Sequence, residues 1–189
     1  LGVGCWKGGH VMAAGLAQHF SNSKLPRVFH GIDVFDSGFV NVKRADDDLP
    51  SKTRNLLLGE VKSFDNINSV MLPETSNKVS TELICQSFLP SVNFRAHEFD
   101  IDTFENSNSS DLPVDISVLR LDSDFYHSTY NALKIFEPLV VNGGVILLDD
   151  YGHWSGSKRA VDEYFTKNYG ALPLWFVTDT GARATILNK

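Results

Sequence analysis

Two runs constrain this chain most: Leu119-Arg120-Leu121-Asp122-Ser123-Asp124 and, one crossover later, Val145-Ile146-Leu147-Leu148-Asp149-Asp150. Each is an apolar stretch of strand type that stops abruptly in carboxylates, and the residues between them carry a helical pattern. A strand, a helix and a second strand of that length make a crossover, so the strands lie parallel and both acidic ends fall on one edge of the sheet. In an open α/β sheet that edge is the ligand crevice. Hard oxygen donors gathered there suit Mg²⁺ or Ca²⁺, with Asp122 and Asp149 facing each other and Asp150 as third ligand. Without a cation, like charges at such range would oppose folding. Asp124, just before Tyr126-His127-Ser128-Thr129, is read instead as the cap of the next helix.

The same alternation of apolar runs and helical patterns extends along the whole chain, predicting one α/β domain over residues 1–189. Residues 1–4 read as the tail of a first strand, 27–32 as a second, 92–97 as a third, 116–121 as a fourth and 144–148 as a fifth. Helices are predicted over 11–20, over 128–140 with Asn142-Gly143-Gly144 as the stop, and over 157–168 with Tyr169-Gly170 as the stop. Residues 174–177 and 182–187 read as an antiparallel pair closing the sheet. The stretch 39–90, about fifty residues between two strands, is too long for an ordinary connection and is read as helices plus a cover. Residues 83–89 are the candidate crossover helix, and 41–55, with Asp46-Asp47-Asp48, are either a solvated loop or a substrate-capping lid. Residues 106–111 read as loop. The first strand begins mid-run, so an N-terminal portion is expected beyond this sequence.

Composition narrows the partners. The formal charge is -6 and the pI about 5.4, with no Lys/Arg-rich tract, which disfavours nucleic acid and anionic membranes and leaves small molecules. No apolar run is long enough to span a bilayer. Cys5 and Cys85 have neither metal-site nor disulfide-framework spacing, so they read as buried thiols in a reducing compartment, the cytoplasm.

Between the first strand and first helix lies Gly4-Cys5-Trp6-Lys7-Gly8-Gly9, a loop whose glycines let backbone approach a ligand while the next helix offers free amides. It matches neither the dinucleotide spacing nor the P-loop, which disfavours a nicotinamide-dependent oxidoreductase. Asp33, ending the second strand, either accepts hydrogen bonds from ribose hydroxyls or caps a turn.

Together, residues 119–129 (Leu-Arg-Leu-Asp-Ser-Asp-Phe-Tyr-His-Ser-Thr), 143–151 (Gly-Gly-Val-Ile-Leu-Leu-Asp-Asp-Tyr), Gly156 and Ala160-Val161-Asp162-Glu163-Tyr164-Phe165 resemble the macrocin O-methyltransferase family, and residues 4–9 look like its cofactor loop. The resemblance implies a Rossmann-like class I S-adenosylmethionine methyltransferase fold. That means a mostly parallel seven-stranded sheet with an antiparallel last strand and helices on both faces. It also implies Mg²⁺ or a similar divalent cation, and methylation of a hydroxyl on a sugar or other natural-product intermediate. By position it makes Asp122, Asp149 and Asp150 metal ligands. Gly4, Trp6, Gly8 and Gly9 of that loop are then contacts of the cofactor; Asp33 and Asp122 at the neighbouring strand ends are read as further contacts, and Asp100 or Asp102, just after the third strand, as contacts of the adenine end.

Three departures from the family pattern stand out. Gly2 occupies a position where the family usually has Glu; in Asp33-Val34-Phe35-Asp36-Ser37-Gly38 the glycine is displaced by one; and residues 39–90 contain no His to match the family's proposed base. A catalytic base, if one is needed, is best sought at His153, three residues past Asp150, and next at His127. For either, a surface role is the alternative. His10 and His97 read as structural or cofactor-adjacent, and Tyr151 and Trp154 as acceptor-pocket walls or core. A non-catalytic binding module with a damaged cofactor loop is the competing reading, and self-association is left open.

Overall fold

Strands arise where alternation puts Leu119, Leu121, Ile146 and Leu148 on one face, all essentially buried, with Val118, Arg120 and Leu147 on the other. In the computed structural model these belong to a seven-stranded sheet of order β3-β2-β1-β4-β5-β7-β6. The strands are β1 (Gly2–Val3), β2 (Val28–Asp33), β3 (Asn93–Glu98), β4 (Ile116–Leu121), β5 (Val140–Leu148), β6 (Trp175–Phe176) and β7 (Arg183–Ile186). Helices α1 (Gly9–Phe20), α2 (Lys78–Phe88), α3 (Tyr126–Phe136) and α4 (Ser155–Tyr169) pack around it. The structure describes residues 1–21, 27–33, 35, 78–88, 92–98, 101, 112–171, 174–177 and 181–189.

β1 to β5 are mutually parallel, and β7 alone runs against β5 and β6. The predicted antiparallel closing pair is therefore β6 and β7. Helices α3 and α4 cover one face, where Ala132, Leu133, Phe136, Val161 and Phe165 meet Val3, Leu119, Leu121, Ile146 and Leu148. On the other face Val11 of α1 and Cys85 of α2 meet Cys5, Phe94 and Ala96. Strand order reverses between β1 and β4, the place where open α/β sheets bind ligands.

Three boundaries differ from the sequence reading. The helix expected over 128–140 ends at Phe136, because Pro138 lacks an N–H and tightens the chain into a 3-10 turn over Glu137–Leu139. Asn142-Gly143-Gly144 does not stop a helix; it lies inside β5 as a bulge. Ile116 and Val118 of β4 pair with Val140 and Val145, and Gly143 takes the left-handed conformation the extra residues require. The crossover helix expected at 83–89 begins earlier, at Lys78. Residues 41–55 and 106–111 lie outside the described residues.

Two buried polar clusters in this frame are paired. Glu137, 4% exposed, accepts hydrogen bonds from Tyr164 (2.8 Å) and Tyr169 and lies 3.5 Å from Lys189 Nζ. His30 on β2 and His97 on β3 share a 2.8 Å nitrogen–nitrogen hydrogen bond. Burial, then His97, the N-terminal ammonium and Arg95, push the His30 imidazole down from 6.5 to about 4. The unfolded chain thus takes a proton near pH 6.5 that the folded chain refuses until about pH 4, so this group's stabilisation is intact above pH 6.5 and is lost as pH falls to 4. His30→Gln should flatten the fall in melting temperature across that window relative to wild type; parallel curves would show that His30 does not carry it.

Candidate active site

Three backbone hydrogen bonds align the strand ends: Gly4 N to Ile32 O (2.9 Å), Asp122 N to Val3 O (3.0 Å) and Asp149 N to Leu121 O (2.9 Å). The glycine loop and both acidic termini are thereby fixed on one edge of the sheet at the switch point. One oxygen each from Asp122, Asp149 and Asp150 lie within 4.8 Å of one another, a group that could hold a single cation. The three predicted ligands are brought together.

Their environment is one that wants positive charge. Burial, opposed by Arg120 and reinforced by Asp149, pushes the Asp122 carboxyl above the ordinary range. Burial, then Asp124 and Asp122, push Asp150 up further. Asp150 is 7% exposed and accepts the Asp124 N–H at 3.2 Å, while its carbonyl takes the N–H groups of His153 and Trp154. A hard divalent cation would relieve this crowding of carboxylates, so the donor set fits Mg²⁺.

Two further groups belong here that the sequence reading placed elsewhere or passed over. Asp124 does not cap α3: the cap position is Phe125, which makes no side-chain cap bond. Asp124 instead adopts φ 58° and turns its carboxyl inward, where the Trp154 side chain bonds it and burial, Asp122, Asp149 and Asp33 raise it to about 7. The left-handed backbone, tolerated by Asp, is what redirects it. Arg120, between two core leucines, leaves by the opposite face and forks onto the cluster, Nη1 2.7 Å from Asp122 Oδ2 and Nη2 3.2 Å from Asp149 Oδ2. The only prior signal for either was its place in the strand-end run.

The loop is tightly built. Gly4, φ +77°, lies so close to Asp122 that an added Cβ would overlap the Asp122 carbonyl oxygen. Gly8, φ +79°, begins α1 and sits against Cys85 Sγ, where a Cβ would come within 2.5 Å. Gly9 differs: a Cβ there would meet nothing within 4 Å. Packing therefore does not require glycine at position 9, which is exposed. Asp33 Oδ2 accepts the Trp6 N–H at 2.6 Å and Oδ1 that of Phe35 at 3.4 Å, so Asp33 holds the loop and also closes a turn. Trp6, φ 43°, is half exposed with Lys7 over its ring.

His10 fills the space beside position 2. Its ring packs on Gly2 so closely that any Cβ there would overlap Nε2. Burial, Arg120 and the N-terminal ammonium hold this imidazole down at about 4, and among the described residues its buried Nε2 has no hydrogen-bond partner. His153 lies exposed in the turn after Asp150, edge-on to Trp154, and Gly152 beside it is pressed on Gly181, where a Cβ would be 2.5 Å from Cα. His127 is exposed near the start of α3, edge-on to Tyr126. Trp154 is 3% exposed against Phe125, and Tyr151 donates to Asp162 at 2.8 Å, so both are held by packing and α4. Asp100 and Asp102 lie outside the described residues.

The family described as Macrocin-O-methyltransferase (TylF) matches residues 1–182. Demethyldecarbamoylnovobiocin O-methyltransferase of Streptomyces niveus is 45% identical over 56 residues, 29% of this chain and 21% of that protein's length. Among solved structures, the O-methyltransferase NovP superposes with a TM-score of 0.66 at 21% identity, over 100% of this chain and 71% of that one. The apo structure of CalS11, TDP-rhamnose 3'-O-methyltransferase of calicheamicin biosynthesis, superposes at 0.56 with 16% identity over the same shares. At these identities the superpositions establish the fold alone, a Rossmann-like sheet.

Proposed function

This chain belongs to the macrocin O-methyltransferase family, and from that premise we propose that it moves the methyl group of S-adenosylmethionine onto a hydroxyl of a small molecule, a sugar or other natural-product intermediate. The observation that supports this best is the convergence of Asp122, Asp149 and Asp150 beside a loop whose Gly9 faces open space. Asp122, Asp149 and Asp150 would hold a divalent cation, which would supply Lewis-acid chemistry at the acceptor hydroxyl.

The remaining work falls to the chain itself. Gly4, Gly8, Gly9 and Trp6 form the cofactor wall, Asp33 holds Trp6 in place, and Asp122 is shared by the loop and the metal cluster. The hydroxyl proton leaves to His153, on the turn that Asp150 anchors, or to His127. The cytoplasm is the proposed location, since Cys5 and Cys85 are buried free thiols, which suits a reducing compartment.

Purified protein should be stabilised against heat by S-adenosylhomocysteine but not by NAD⁺, and with S-adenosylmethionine and Mg²⁺ should methylate a member of a panel of hydroxylated sugars and aglycones. Absence of both cofactor binding and methyl transfer would overturn the proposal. Binding without transfer across the panel would favour the binding-module reading.

A further inference from the structure

We propose that Arg120 is the built-in counter-ion of the carboxylate cluster, which a divalent cation must displace, so that this guanidinium sets how tightly the site takes metal. The inference rests on reading Asp122, Asp149 and Asp150 as the metal site. Its own observation is that the fork of Arg120 already sits on Oδ2 of Asp122 and Oδ2 of Asp149, at 2.7 and 3.2 Å. These two carboxylates supply two of the three donor oxygens that converge within 4.8 Å. A guanidinium cannot lose its proton, so it yields the oxygens only by moving away.

Its position makes that movement possible. Arg120 leaves β4 on the face opposite Leu119 and Leu121, so its side chain is not locked into the α3–α4 core. Its side chain is 20% exposed and Asp149's is 45% exposed, so one partner faces solvent. Nη1 also lies 3.5 Å from the Gly4 carbonyl oxygen, a contact with the cofactor loop that does not use the carboxylates. Arg120 thus has somewhere to remain when the aspartates turn to a cation. In its resting position it neutralises one of three clustered negative charges and keeps the strand ends together.

The opposite role, an arginine that only steadies ligands for the metal, predicts the opposite sign. Calorimetric titration of Mg²⁺ and Mn²⁺ into wild type, Arg120→Gln, Arg120→Lys and Asp149→Ala separates the two. Removing a unit charge a few ångströms from the ion should tighten metal binding in Arg120→Gln on the order of tenfold or more. Arg120→Lys, a point charge without the fork, should fall between Arg120→Gln and wild type. Metal-free Arg120→Gln should melt lower than wild type and gain more degrees on adding Mg²⁺.

Equal or weaker metal affinity in folded Arg120→Gln would overturn the inference. If that variant does not fold, Arg120→Lys decides: tighter than wild type supports it, and unchanged or weaker overturns it. Metal binding by wild type that Asp149→Ala abolishes but Arg120 variants leave unchanged would sink this inference alone. No binding by any of the proteins would overturn the metal reading and this inference together.

Discussion

Asp149→Ala is expected to cut metal-supported methyl transfer roughly 10³-fold, the rate equivalent of losing several kcal/mol of Lewis-acid stabilisation, while S-adenosylhomocysteine binds almost as well as to wild type. The separation of effects comes from where Asp149 sits. Its side chain is the most exposed of the three aspartates and makes a 3.2 Å ion pair to Arg120, which keeps Asp122 at 2.7 Å when Asp149 is gone. Truncating it therefore leaves no buried charge unpaired, and the fold should lose little stability. Asp122 would be a poorer choice, because its carboxylate is less exposed than that of Asp149 and takes the 2.7 Å contact of Arg120, so its loss would disturb the pairing at the strand end as well as the metal. Wild type treated with EDTA should show a loss of similar size, restored by Mg²⁺. Unchanged turnover in EDTA would remove the metal from the mechanism and leave positioning by the loop and the histidines to supply the rate.

The strand-end acids were legible because their physics is local: an apolar run that stops in carboxylates fixes a strand and the edge it points to, and one helical crossover fixes its partner. The same rule delivered β1 to β5 and the closing β6–β7 pair. What a periodicity cannot carry is direction after the run ends. Asp124 looks like a helix cap until φ 58° turns it inward, and Gly143 looks like a helix stop until Pro138 ends α3 first and the glycine becomes a bulge. Arg120 was visible as a residue on the face away from the core, yet nothing in its spacing reveals that its fork spans the ends of two strands. Gly2 reads as a loss when compared with the family pattern. In the structure it is the space that His10 occupies, and that contact joins residues in different elements through packing alone.

The paired variants Gly4→Ala and Gly9→Ala test whether the loop is a cofactor wall or merely a tight turn. At Gly4 the backbone φ of +77° already disfavours a side chain, and a Cβ would overlap the Asp122 carbonyl oxygen, which is backbone and cannot rotate away. The loop must lift from β4, breaking the alignment that Gly4 N makes with Ile32 O at 2.9 Å. Strain of that kind and the lost pairing should cost roughly 3 kcal/mol or more of stability, read as a lower denaturant midpoint at unchanged slope. Metal affinity should fall with it, since Asp122 is the residue displaced. Gly9→Ala meets nothing within 4 Å, lies at the start of α1 and should leave the denaturant midpoint within the scatter of surface variants. If S-adenosylmethionine uses that open space, the extra methyl should weaken S-adenosylhomocysteine by tenfold or more, about 1.4 kcal/mol, with no loss of stability and no change in metal affinity. Unaltered cofactor affinity in Gly9→Ala would mean that the ligand does not approach the helix start there, and the cofactor wall would have to be sought on the Trp6 and Asp33 side of the same crevice.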